Sequence, residues 1–424
     1  MYSVATSKDG QFMSMLWADS LFTEPAHVHL GAMLSHVWLT SGESTLILWD
    51  QMTERDAVRF WREGAGSDWR PVSVPSGWTT YRSGQRVVHV GVRSLLDPGR
   101  TVLWDVAGDS SDTVARSLAW YHHTIGVPFQ MTAGVSGCAL LRSLHPDPRR
   151  GRSPYWGKSV DAEPADIRPA GDILWTRRAS EVERARPYVH GFDLRAARLA
   201  AAGVADLPWD RSGVQSGAAP FDPTLAGFWA VRSDQLPDVD ERRPPLWEPS
   251  GEPLTWLSAP IAGELWKRGQ LPEVLDSRTA PARQWLRSWS TRLGAARLAA
   301  ETEPGAPERW SRSVKATYAE TVGMMMRRGG SIYRPDVAAQ IIDRQRVTLL
   351  AHADRVAGAR GEYPVAAMTD CLYYTSDFAD PADAAADLGI PMAQPGRLGG
   401  FRPYAVHHMT EWLDTVDAEA GVAA

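Results

Sequence analysis

Tyr188-Val189-His190-Gly191-Phe192-Asp193-Leu194-Arg195-Ala196-Ala197-Arg198-Leu199-Ala200 is the stretch on which the reading of this chain turns. Its aromatic and β-branched first half reads as a strand, and its alanine-rich second half reads as a helix. Asp193 sits at the end of the strand, so its carboxylate projects from a rigid support. Taken alone, such an aspartate is most simply a helix N-cap.

Two downstream segments change that balance. Around Glu303-Pro304-Gly305-Ala306-Pro307 the pattern predicts two helices, over 279–300 and 308–327, that form a helical hairpin. Trp285, Trp289, Leu293 and Ala296 form the apolar stripe of the first. The second carries Lys315-Ala316-Thr317-Tyr318-Ala319-Glu320-Thr321-Val322-Gly323, where Lys315 alone would be a solvated surface lysine. Further on, Val365-Ala366-Ala367-Met368-Thr369-Asp370-Cys371-Leu372-Tyr373-Tyr374 predicts a β-hairpin with Asp370 at its tip, in isolation an ordinary turn residue. A helix over 335–357, a strand near 399–404 and a final helix complete this half.

In this order the three segments resemble motifs A, B and C of the family-B DNA polymerases. Motif A is strand–Asp–helix, motif B is Lys-x3-Asn-x3-Gly on a fingers helix, and motif C is a hairpin tip reading Asp-Thr-Asp. Two flanking stretches agree: Arg334 to Arg344 resembles the helix between motifs B and C, and Leu398-Gly399-Gly400-Phe401-Arg402 resembles the strand after motif C. The resemblance covers residues 180 to 424. It implies an α+β fold, a palm with an antiparallel sheet (171–278 and 331–424) and helical-hairpin fingers (279–330); little or no thumb is expected, because few residues follow the stretch 398–402.

The resemblance also implies roles. Asp193 and Asp370 would be catalytic and hold two Mg²⁺ (or Mn²⁺) ions, because phosphoryl transfer to a 3′-hydroxyl is assisted by paired divalent ions that want carboxylate oxygens on rigid supports. Lys315 would offset charge on the triphosphate, with Arg292 and Arg297 as further substrate-binding candidates. Gly323 closes motif B, and Arg198 stands where the family's tyrosine packs under the incoming sugar. The implied partners are DNA, deoxynucleoside triphosphates and a terminal or thumb-supplying protein. The departures are specific: Met368 replaces the first aspartate of the hairpin tip, Ala319 the motif B asparagine and Val322 the tyrosine before the glycine.

Residues 1–150 mix strands and helices, with strands expected over 32–39, 44–50, 86–92 and 101–106. They occupy the place of the family's proofreading exonuclease. Asp50 and Asp105 end strands there, but neither gives the Asp-x-Glu of that chemistry, so an inactive α/β, ribonuclease-H-like module is expected. The paired histidines His122-His123 and His407-His408, and the alternating His27 and His29, lack the i, i+4 helical spacing of a metal site.

Composition bounds the rest. A net charge of −5 excludes a globally basic nucleic-acid-binding surface. No apolar run approaches the roughly 18 residues a membrane span needs, and the first residues lack a signal-peptide pattern, so a cytoplasmic location is expected. Two distant cysteines, Cys138 and Cys371, exclude a disulfide framework. Lysine occurs only at 8, 158, 267 and 315, and the arginine, alanine and tryptophan bias points to a GC-rich genome, such as an actinobacterial replicon, plasmid or phage. Three functions stay open on the residues: nucleotidyl transfer to a DNA 3′ end, a non-catalytic DNA-binding scaffold for replicon ends, and a two-aspartate nuclease.

Overall fold

The β-forming runs pair into three sheets in the computed structural model, which describes residues 2–8, 11–17, 43–48, 69–71, 78–84, 86–92, 102–103, 109, 111–145, 173–209, 214–238, 240–247, 251–328, 332–394 and 398–422. The helices among them are α1 (Ser111–Ile125), α2 (Ala133–Leu144), α3 (Glu181–Arg184), α4 (Ala197–Val204), α5 (Ala259–Lys267), α6 (Arg287–Thr302), α7 (Glu308–Met326), α8 (Pro335–Arg360), α9 (Pro381–Leu388) and α10 (Met409–Val422). The chain divides into two units, residues 1–146 with 295–324, and residues 147–294 with 325–424.

The first unit holds β1 (Tyr2–Lys8), β2 (Gln11–Trp17), β3 (Glu43–Leu48), β4 (Arg70–Pro71), β5 (Trp78–Ser83) and β6 (Arg86–Val92), in the order β2-β1-β3-β6-β5-β4. β3 and β6 run parallel, and the other neighbours antiparallel. The strand expected over 101–106 is corrected where it is described: Val102 and Leu103 form a turn. Leu103 is fully buried there, which accounts for its apolar signal. Asp50, Asp105, His27, His29 and the strand expected over 32–39 lie outside the described residues.

In α1 the buried residues Val114, Leu118, Tyr121 and Ile125 recur at helical spacing. From this helix Trp120 and Tyr121 reach the helical hairpin, whose packing in this unit is close. Trp120 stacks on Trp310 with ring centroids 4.5 Å apart, and Tyr121 Oη lies 2.8 Å from Thr317 Oγ1. Glycine is required at 137, because a Cβ there would come within 1.9 Å of Thr321 Oγ1 and 2.9 Å of the Thr317 carbonyl oxygen. Gly137→Ala is therefore expected to destabilise the chain by about 1–3 kcal/mol, read as a lower urea midpoint.

The second unit contains two antiparallel sheets. One comprises β7 (Ile173–Thr176), β8 (Tyr188–Leu194), β14 (Ala366–Thr369), β15 (Cys371–Ser376) and β16 (Phe401–His408), ordered β16-β8-β15-β14-β7. The other comprises β9 (Leu207–Pro208), β10 (Gln215–Ser216), β11 (Leu225–Arg232), β12 (Leu254–Ser258) and β13 (Val274–Arg283), with β13 at the junction of β9, β10 and β11. The breaker-rich stretch 236–253 joins β11 to β12 within one sheet, as its position between two strand patterns implies.

Here the helix expected from 279 starts later. Residues 279–283 belong to β13, where Thr279 pairs with Gly227 and Ala280 with Ala226, and α6 begins only at Arg287. Pro281 is compatible with a first helical turn as well as with a strand, so long-range pairing decided the matter. Trp289, Leu293 and Ala296 do form the buried stripe of α6, and Trp285 is buried just before it.

Helix α8 joins the two sheets' cores. Leu349, Ala353 and Val356 pack with Phe192, Leu194, Leu372, Tyr374 and Phe401 under the first sheet. Val347 and Leu350 pack with Trp229, Trp247 and Leu265 beside the second.

Candidate functional site

Asp193 is not an N-cap. It lies within β8, and α4 is capped by Ala196, a left-handed residue (φ 53°) with no side-chain cap bond. Strand β8 is the second strand of its sheet, paired with β15 on one side and β16 on the other. That flanking by two strands leaves Asp193 only 8% exposed.

Asp370 arrives beside it through the β-hairpin. Met368 pairs with Cys371 across β14 and β15, leaving Thr369 and Asp370 as a two-residue turn. Thr369 adopts φ 56°, a left-handed conformation rare for a β-branched residue and a local strain of the kind found at functional sites. The register then places Cys371 opposite Asp193, and the Leu194 N–H donates to the Asp370 carbonyl at 2.8 Å. Two aspartates 177 positions apart by their residue numbers thus sit on hydrogen-bonded neighbouring backbone.

The Cys371 thiol lies within reach of both charges. Burial pushes its pKa up to about 12, and the Asp193 and Asp370 carboxylates push in the same direction. Farther along the same face, Tyr373 packs over Gly191, where a Cβ would meet its ring at 2.8 Å. Helix α10 covers that part of the face, with Trp412 stacked on Tyr373 at 5.0 Å and 5.6 Å from the His407 ring.

A third charge also meets the pair. Arg402 is the cross-strand partner of Asp193 on β16, and its Nε donates to Asp193 Oδ2 at 2.6 Å. The sequence pattern marks the stretch containing Arg402 but assigns Arg402 no role, because the pairing of β16 with β8 spans some 200 residues and no local pattern encodes it.

The other sequence candidates divide by exposure. In the first unit, Lys315 and Gly323 are exposed on α7, and nothing lies within 4 Å of a Cβ built on Gly323, so packing does not require glycine there. Arg297 is 5% exposed and holds its own hairpin together, bonding Tyr318 Oη at 2.8 Å and Glu301 at 2.9 Å. In the second unit, Arg292 is exposed on α6 and Arg198 half-buried on α4. Among the described residues, no group of three or more His, Cys, Asp or Glu side chains gathers into a metal cluster. The acid pair nonetheless fits a hard divalent cation by donor chemistry, two carboxylates on rigid neighbouring backbone, with Arg402 occupying one oxygen.

No family model matches the sequence, and no curated protein does. Solved structures do match. Phi29 DNA polymerase in an orthorhombic crystal form aligns over 96% of this chain and 84% of its own at 12% identity, with a TM-score of 0.50. Phi29 DNA polymerase complexed with primer-template DNA gives the same figures, 96%, 84%, 12% and 0.50. In fold, this chain is similar to Phi29 DNA polymerase. The family B DNA polymerase of the archaeon Pyrobaculum calidifontis covers 70% of this chain and 34% of its own at 14% identity, with a TM-score of 0.32, too low to carry an argument. At such identities the likeness to Phi29 DNA polymerase is one of fold: a mixed α+β architecture with antiparallel sheets. No described helix is long and apolar enough to cross a membrane.

Proposed function

We propose that this chain adds nucleotides to a DNA 3′ end on the sheet that bears Asp193 and Asp370. The observation carrying this reading is the hydrogen-bonded adjacency of the two acids, on a fold similar to a DNA polymerase. Asp193 would hold a divalent ion from within a strand and Asp370 from the turn beside it. Bound there, Mg²⁺ or Mn²⁺ supplies activation of the attacking oxygen and neutralisation of triphosphate charge. Arg292, an exposed cation of the same unit as the acids, would receive triphosphate oxygens, whereas Arg297 is committed to Tyr318 and Glu301. DNA and deoxynucleoside triphosphates are then the substrates, and a terminal or thumb-supplying protein would add grip on the duplex. Residues 1–150 would position DNA without nuclease chemistry. The compositional bias supports a role in replicating an actinobacterial replicon, plasmid or phage.

A second reading, a non-catalytic DNA-binding scaffold, is favoured by one observation: Arg402 and α10 occupy parts of the acid-bearing face. Primer extension with Mg²⁺ or Mn²⁺ separates the two. Catalysis expects extension by the wild type and none by Asp370→Ala. Absence of extension by the wild type, with DNA affinity retained in both proteins, supports the scaffold.

A further inference from the structure

The ion pair between Arg402 and Asp193 has a consequence for how the acids take up a cation. We propose that Arg402 is a tethered competitor for the divalent ion: its guanidinium neutralises Asp193 in the absence of metal, and the ion binds the acid pair only as that guanidinium moves off. The proposal rests on the reading of Asp193 and Asp370 as the metal-holding pair.

Three features support it. The contact is built into the sheet, because Arg402 and Asp193 are Cα partners and the preceding Phe401, 2% exposed, anchors the strand in the core. Immediately beyond, the register shifts between Pro403 and Ala405, a bulge of the kind that re-aims a strand next to a site. Exposure is unequal as well, 12% for the Asp193 side chain against 46% for Arg402. The carboxylate is therefore held in place, while the guanidinium faces enough solvent to leave.

The chemistry follows from that asymmetry. A nearly buried carboxylate left without a cation is costly, so some positive charge stays on Asp193 at all times. Arg402 supplies one charge through a charge-assisted hydrogen bond, and a divalent ion supplies two and prefers oxygen ligands. Both draw on the charge of one carboxylate, and the proposal places their contest at Oδ2, the oxygen Arg402 holds. A displaced guanidinium is a fork suited to phosphate oxygens, so a phosphate-bearing substrate would draw Arg402 away while the ion settles. Arg402 is thus a positioning residue that sets the metal affinity of the pair.

The test is Mn²⁺ binding to the full chain, followed by electron paramagnetic resonance without nucleotide or DNA, for the wild type, Arg402→Ala, Arg402→Gln and Asp193→Asn. Circular dichroism melts identify any variant that does not fold, and the two Arg402 variants stand in for each other. Losing one charge-assisted bond predicts that Arg402→Ala and Arg402→Gln bind Mn²⁺ about ten- to a hundredfold more tightly than the wild type, and that Asp193→Asn does not bind. Equal or weaker binding in the Arg402 variants, with binding still lost in Asp193→Asn, overturns the competition and leaves the acid pair as a metal site. Absence of binding in every protein overturns both.

Discussion

Asp370→Asn is expected to lower the rate of nucleotide addition at a primer terminus by about a thousandfold or more. Metal-ion stabilisation of the transferring phosphoryl group is worth several kcal/mol, and each 1.4 kcal/mol is about tenfold in rate. Asparagine keeps the shape and the turn propensity of aspartate, so the hairpin between β14 and β15 is retained while the charge is lost. Stability is expected to change by no more than about 0.5 kcal/mol, as for substitutions away from the core. Asp193→Asn should be as damaging to activity, and the double variant little worse than either, because residues acting as one unit are non-additive. Single-turnover primer extension with matched melting curves measures all of these. An Asp370→Asn protein that extends primers at the wild-type rate would remove Asp370 from the chemistry.

The second large effect lies at the start of α8. Arg334 and Asp336 are 3% and 2% exposed and are bonded to each other: Arg334 donates from Nε to Asp336 Oδ1 at 2.9 Å, from Nη2 to Oδ2 at 2.8 Å, and from Nη2 to the Pro208 carbonyl oxygen at 3.0 Å. Asp336 also lies in the first turn of α8, where the helix dipole favours a negative charge. Asp336→Ala removes a buried carboxylate from a guanidinium that is itself 3% exposed, and breaking such a buried pair costs about 3–5 kcal/mol. Because α8 lines a core under each sheet of its unit, the loss should appear as a lower urea midpoint for that unit. Replacing both partners, Arg334→Met with Asp336→Leu, should recover most of the stability, since the penalty comes from the orphaned charge rather than from the missing pair.

What the sequence could reveal follows the range of the interactions. Helices α7 and α8 were legible from 3.6-residue periodicity, and the hairpin at Asp370 from two apolar runs flanking a turn, because both signals are local. The β13–α6 boundary was not, since the residues from Thr279 to Arg283 suit either state and their pairing with β11 and β9 decided it. At the site, Asp193 and Asp370 are singled out by the order of three segments that together resemble polymerase motifs, since each aspartate alone reads as an N-cap or a turn residue. Arg402 could not, because its meeting with Asp193 depends on which strand becomes the neighbour of β8. Arg297 looked like its exposed neighbour Arg292 in sequence, and only packing distinguishes a guanidinium bonded to Tyr318 and Glu301 from one facing solvent.

On this reading, two carboxylates on hydrogen-bonded neighbouring backbone make a divalent-metal site. Anomalous diffraction from crystals soaked in Mn²⁺ tests it directly. The expected result is an anomalous peak within coordination distance of both Asp193 and Asp370, with Arg402 displaced from Oδ2. A peak elsewhere, with the Arg402–Asp193 ion pair intact, would contradict it.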